Sequence, residues 1–344
     1  MPLRRLIAPF SALLLCGVCA LSPQGAVRCS AQVLRDAQAP ASGALPADDA
    51  VVARVSGAAV RFREVKQQLS GVLQGREVPA EALPALLAQG LEQVIARELI
   101  AAQMRLKNMK PTPEELKTAE ENFTKNLARR GVTREEYLRQ SYLTEADLEK
   151  VRYWEICWNR YSRDLLTNDD LQKYFAAHHR DFDGTELRVS HVLLRIEGTQ
   201  DQGTLTAAVQ KAQAIREEIV NGRMVFADAA ARFSAGPSRE HGGDLGFIPR
   251  RDRMVEEFSA AAFRLKVGEI SPPTVTAFGV HLIKVTEEKP GTIIWQDVRE
   301  QLVSAAQVPL FRQLAAHLRK TAEVEYTGLI PRIDPSTGRL QPAG

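Results

Sequence analysis

Apolar residues recur along this chain with two different periods, and the change of period divides it. From about residue 63 to 167 the spacing is helical. Leu91, Val94, Ile95, Leu99, Ala102 and Leu106 fall three and four apart, which predicts one buried stripe on an amphipathic helix. Helix-start signals repeat through the same stretch. Thr112-Pro113-Glu114-Glu115 sets a capping threonine before proline at the first helical position and glutamate at the third; Thr133-Arg134-Glu135-Glu136 repeats the box, and Thr144 to Asp147 is a weaker form of it. Leu148, Val151, Trp154, Trp158 and Tyr161 share a face of the next helix. Two readings of that face stand: it packs on a helix expected at about 295–320, or it is a client-binding surface, which a sizeable exposed apolar patch would mark.

Before this region, VVARVSGAAVRF (51–62) alternates as a short hairpin with Ser56-Gly57 at its turn. After it the period changes. A strand at 187–195 precedes a helix at about 204–221, whose Ala208, Ala212, Ile215 and Ile219 face inward and whose end is set by Asn221-Gly222. A second helix at about 226–233 leads to a Gly/Ser-rich turn, a third holds Phe258 and Phe263, and a strand at 279–286 carries His281. The pattern predicts an α+β fold: a small antiparallel sheet with packed helices, inserted into or following an α-helical domain. The tail, 329–344, reads as flexible.

At 344 residues, 44% hydrophobic and 25% charged, the chain is long enough for two domains. Its net charge of +3, with cations interleaved among acids, gives no nucleic-acid footprint. Arg4 and Arg5 precede an apolar run, Phe10 to Leu21, too short to span a bilayer; residues 1–31 read as a secretory signal peptide and 32–48, rich in Ala, Pro, Ser and Gly, as a linker. Cleavage after Ala20, Ala26 or Ala31 fits equally. The residues before Cys16, Cys19 and Cys29 do not form a lipidation box. If cleavage follows Ala31, Cys157 alone remains, and its aromatic neighbours predict a buried, inert thiol. The six histidines show no metal-ligand spacing, and no G-x-S-x-G occurs, so neither a metal site nor a serine hydrolase is expected.

Six motifs then fall in order over about 100 residues: SHVLL (190–194), FADAAARFS (226–234), GGDLGF (242–247), MVEEF (254–258), LKVGEIS (265–271) and FGVHLIKV (278–285). Residues 187–288 thereby resemble the parvulin type of peptidyl-prolyl cis/trans isomerase. More loosely, the flanking helices (49–170, and a C-terminal helix within 292–328) resemble the chaperone domain of exported SurA- and PrsA-like foldases. The resemblance implies a cofactor-free, metal-free isomerase of X-Pro bonds acting on unfolded or proline-containing exported polypeptides, periplasmic in location. It also implies a polar centre of His191, His281 and Thr276 and a proline pocket of Leu245, Met254, Phe258 and Phe278.

Each of these residues has a plainer alternative. His191 and His281 read equally as a buried, mutually hydrogen-bonded pair that fixes the sheet, Thr276 as the partner of a strand-end amide, and Leu245 and Phe258 as ordinary core. Asp244, after two glycines, reads as a turn holder. The sequence departs from the family at one place. Parvulins commonly carry Cys or Asp just after the Phe-Ser of the glycine-rich stretch; here Phe233-Ser234 is followed by Ala235-Gly236-Pro237-Ser238, with no acid or thiol. The rival to an isomerase is therefore a non-catalytic chaperone that uses this fold to dock peptides. The loop after Arg195, Ile-Glu-Gly-Thr-Gln-Asp, lacks the cation cluster a phosphopeptide would require.

Overall fold

The computed structural model describes residues 45–73, 80–196, 202–334 and 336–344. The expected signal peptide, most of the linker and nearly all of the loop after Arg195 lie outside the described residues. The chain forms two compact units, one reaching Leu165 and resuming at Gln307–Gly344, the other Leu166–Ala306.

In the first unit, strands β1 (Val51–Val55) and β2 (Ala58–Arg61) form the expected hairpin, and both turn residues, Ser56 and Gly57, have positive φ. Helices α1 (Phe62–Leu73), α2 (Leu83–Leu106), α3 (Pro113–Arg130), α4 (Arg134–Gln140) and α5 (Glu145–Leu165) follow. The Thr112 box closes in both directions, as does the one judged weaker: the Thr144 amide donates to Asp147 and the Asp147 amide to Thr144 Oγ1. At Thr133 only the threonine half forms, because the Glu136 carboxylate instead accepts from Gln140. The α2 stripe is buried from Leu91 to Leu99, but Leu106 is 80% exposed. It is the last helical residue, beyond the reach of the core.

The aromatic face of α5 packs inward. Trp154 and Trp158 share a cluster with Ile100, Met104 and Phe311, and the Trp158 and Phe311 rings meet edge-on at 5.6 Å. Phe311 belongs to a helix of Arg299–Arg319, so the packing reading of the α5 face holds. Cys157 is fully buried there, and burial pushes its thiol pKa up. The tail corrects the expectation of a flexible end. A strand at Val324–Tyr326 pairs antiparallel with β1, Ile330 is buried, and Arg332 and Ile333 pair with Gln341 and Leu340. Composition suggested looseness there; one buried isoleucine and the short ladder of Arg332–Ile333 with Leu340–Gln341 order it.

The second unit opens with α6 (Asn168–His178), whose Thr167–Asp170 capping box the periodicity did not reveal. Its sheet has the order β4-β3-β6-β5, with β3 Glu186–Leu194, β4 Asp244–Pro249, β5 Thr274–Thr276 and β6 Gly279–Lys289, all antiparallel. Central β3 is buried on both faces, which explains its unbroken apolar run. Val192, Leu194, Val280 and Leu282 turn to one side, against α7 (Gln202–Val220) and α8 (Phe226–Phe233). Leu187, Val189, Ile283 and Val285 turn to the other, against α9 (Glu256–Phe263). His191 and His281 continue that second face by strand alternation. The remaining elements are α10 (Arg299–Arg319), β7 (Val324–Tyr326), β8 (Arg332–Ile333) and β9 (Leu340–Gln341).

Candidate active site

The β3–β6 register sets His191 opposite Ile283 and Leu193 opposite His281, so the two imidazoles are diagonal neighbours on one face. Their rings stack with centroids 5.5 Å apart, and their Nδ1 atoms lie 3.3 Å from each other. On the far side, His281 Nε2 is 2.9 Å from Thr276 Oγ1, which β5 brings alongside β6. Thr276 Oγ1 already accepts the Phe278 amide at 3.1 Å. Its own hydrogen has His281 Nε2 at 2.9 Å and the Gly279 carbonyl at 3.4 Å as acceptors, so the histidine is the better one. The chain then runs Thr276 O–H to His281 Nε2, and His281 Nδ1–H to His191 Nδ1. His191 Nε2 is left as an N–H. All three residues are buried.

That last nitrogen has no partner among the described residues. A Cβ built on Gly236 would sit 2.9 Å from it, so the backbone of Gly236 covers the atom. The missing acid or thiol noted in the sequence is thus a missing neighbour of His191. The segment is nonetheless firmly placed: the Ala235 amide donates to the Leu193 carbonyl, and Ser234 Oγ accepts the amides of Leu193 and Gly236. Ser234 escaped the sequence reading, although it closes the FADAAARFS motif. Ser238 Oγ is buried, also without a partner, so it does not stand in for the acid. Gly243 approaches closest of all; its carbonyl accepts the His191 amide, and a Cβ there would lie 2.3 Å from the His191 carbonyl oxygen.

Burial lowers the pKa of both histidines. For His281 the proximity of His191 adds to it, bringing the value down to about 4, and both rings are neutral at neutral pH. Phe258 lies edge-on to both, with centroids 5.9 Å from His191 and 5.4 Å from His281. Leu245 and Met254, half-buried, pack on the same cluster as Phe258. Phe278 stands apart, 62% exposed on the β5–β6 turn. Asp244 holds its turn as expected, accepting the Gly246 amide at 2.9 Å. It also pairs with Arg188 at 2.8 Å, which keeps its carboxylate below the usual range and ties β4 to β3. The arrangement joins a desolvated, neutral, hydrogen-bonded chain to a hydrophobic wall.

Comparison with known proteins bears on the second unit. A family profile described as a PPIC-type PPIASE domain matches residues 171–289. The peptidyl-prolyl cis-trans isomerase Pin1 of Malus domestica is 37% identical over 116 residues, 30% of this chain and 95% of that protein. The Chaperone SurA of Cupriavidus metallidurans is 38% identical over 149 residues, 41% of this chain and 28% of its own length. The Foldase protein PrsA of Caldanaerobacter subterraneus is 30% identical over 196 residues, 56% of this chain and 55% of its own. The chain therefore spans about a quarter to just over half of the chaperone and foldase relatives it matches.

Proposed function

Since this chain belongs to the family of PPIC-type, parvulin-like peptidyl-prolyl cis/trans isomerases, we propose that it is an exported foldase that speeds cis/trans exchange of X-Pro bonds in unfolded proteins. Twisting an X-Pro amide forfeits its resonance against a barrier of roughly 18–20 kcal/mol, and unaided exchange takes tens to hundreds of seconds. No bond breaks, so a site need only hold the twisted amide better than the planar one. In this reading Leu245, Met254 and Phe258 grip the proline ring, and Phe278, which stands apart from them, does not. The chain Thr276–His281–His191 presents a fixed, water-poor dipole array to the amide. Neutral histidines suit this role, since no proton is transferred.

The observation that carries the proposal is the continuous chain of hydrogen bonds from Thr276 through both histidines, flanked edge-on by Phe258. The SurA and PrsA resemblance supports an exported, client-binding role for the whole protein. One observation favours a second reading, in which the fold only docks peptides: His191 Nε2 ends the chain without a partner, covered by Gly236.

Exchange rates of a proline peptide, followed by NMR with the full chain, separate the two. An isomerase raises the rate well above background and loses at least about tenfold in kcat/KM on Phe258→Ala, since removing a buried ring that contacts the substrate costs on the order of 1.5–3 kcal/mol. A wild-type rate equal to background leaves the docking reading alone.

A further inference from the structure

Helices α1, α2 and α5 of the first unit border a cavity of about 600 Å³. Its apolar wall is Val94, Ala101, Met104, Met109 and Val151, with Trp154 beside them. Seven charged side chains also line it, and most are committed or exposed. Glu98 pairs with Arg105 at 2.6 Å, while Asp147 closes the Thr144 box and lies 4.0 Å from Arg63. Glu149 and Lys150 are exposed. Two groups remain. Arg97 lies 4.9 Å over the Trp154 ring, and its guanidinium has neither a hydrogen-bond acceptor nor an acid in contact among the described residues. Glu64 accepts the Arg61 amide at 2.7 Å but has no cation in contact among them. Glu155, Glu64 and Glu98 act on Arg97 only through space, and Lys150 and Arg97 act likewise on Glu64.

Opposite charges thus line one cavity without touching. Burial raises the Glu64 carboxyl pKa and lowers that of Arg97, as expected of charges whose counter-ions stay at a distance. A ligand carrying only a carboxylate would meet Glu64 and Glu98 as well as Arg97, and one carrying only an ammonium would meet Arg97. A ligand with both charges and an apolar body suits every wall. We propose that this cavity binds short zwitterionic peptides of two or three apolar residues, carboxylate on Arg97 and ammonium on Glu64. A peptide fits better than a free amino acid, whose two charges sit on one carbon, because Arg97 and Glu64 stand apart. The planar guanidinium, already stacked on Trp154, offers a carboxylate two parallel N–H donors. Met104 and Met109 give the apolar wall the pliancy to accept different side chains. The volume falls within the range of small-ligand pockets, roughly 300–1,000 Å³. Binding here is independent of the isomerase reading, since the cavity belongs to the first unit and the histidines to the second.

The test uses the full chain and the dipeptide Leu-Leu, compared with its N-acetyl form, its C-terminal amide and the doubly capped form. Binding is read by NMR titration of the Trp154 indole signal. Leu-Leu is expected to shift that signal saturably, and each cap to weaken binding at least about tenfold, as loss of a charged hydrogen-bonding partner predicts. Ser-Ser, with both charges but little apolar surface, is expected to bind at least about tenfold more weakly than Leu-Leu. Arg97→Gln removes the sensitivity to the amide cap and keeps that to acetylation, and Glu64→Gln does the reverse. The sensitivity each variant keeps shows that its cavity is still folded. The absence of a saturable shift with millimolar Leu-Leu, or a Leu-Leu affinity unchanged in both variants, overturns the proposal. Equal affinities of wild type for all four Leu-Leu forms overturn it too, and assign the cavity to internal segments of unfolded chains instead.

Discussion

At the scale of single residues, the two histidines tie stability to pH. Free histidine titrates near 6.5, whereas His281 does so at about 4 in the folded chain. As pH falls below 6.5 the unfolded chain takes up a proton that the folded chain refuses. Stability therefore drops between pH 6.5 and about 4 and levels off below, by on the order of 3 kcal/mol from His281. Urea melts of the second unit between pH 7 and 4 read this directly, and His281→Asn flattens the slope. Exchange catalysis is expected to stay level from pH 6 to 8 and fall in acid, where a proton on His281 Nε2 displaces the Thr276 hydrogen and one on His191 Nδ1 breaks the Nδ1–Nδ1 hydrogen bond. A rate that falls tenfold between pH 8 and 6 contradicts the neutral pair. Gly243 is equally specific. Its φ of +83° and the 2.3 Å approach of a would-be Cβ to the His191 carbonyl predict that Gly243→Ala costs about 2–4 kcal/mol, measurable by thermal unfolding. Gly236→Ala is a contrasting probe. Its φ of −78° is ordinary, so strain arises only against His191, and activity is expected to suffer more than stability.

Secondary elements show where the sequence was legible. Helices α3 and α5 carry Thr-x-x-acid boxes, and α2 and α5 carry apolar stripes, all of them local signals. Truncating Trp158 tests the α5 stripe. It is 1% exposed among Trp154, Tyr161 and Phe311, so Trp158→Ala is expected to cost about 3–5 kcal/mol, read from tryptophan-monitored urea unfolding. Strands β3 and β6 were visible because both faces are buried, giving long apolar runs. Strand β4 was hidden by its glycines, which read as a turn, and three-residue β5 is too short to show alternation. The pairing of the two histidines was legible only through motif order, since they lie 90 residues apart. The unpartnered Nε2 of His191 was foreshadowed by the missing acid at Ala235-Gly236.

On the scale of the whole molecule, the first unit is closed by a strand that arrives last. After the second unit the chain returns through α10, and β7 adds to the edge of β1, with Ala53 opposite Tyr326 and Val55 opposite Val324. Tyr326 donates its hydroxyl to Glu92 at 2.6 Å and accepts from Arg319 at 2.8 Å, so the strand is bonded through a side chain as well as its backbone. Ile330 then enters the same core as Val52, Val55 and Leu91. A chain ending at Lys320 loses this ladder, the Tyr326–Glu92 hydrogen bond and the buried isoleucine together. It also exposes a β1 edge and leaves Glu92 without its hydroxyl donor. The summed cost is on the order of 4–6 kcal/mol, or roughly 10–20 °C in the melting of a unit this size. With Trp295 of the second unit replaced by Phe, Trp154 and Trp158 report on this unit, and the ring signals of His191 and His281 on the other. The expected outcome is an early tryptophan transition with the histidine signals unchanged below it. Loss of both at one lower temperature shows instead that the C-terminal strand supports the isomerase-like unit too.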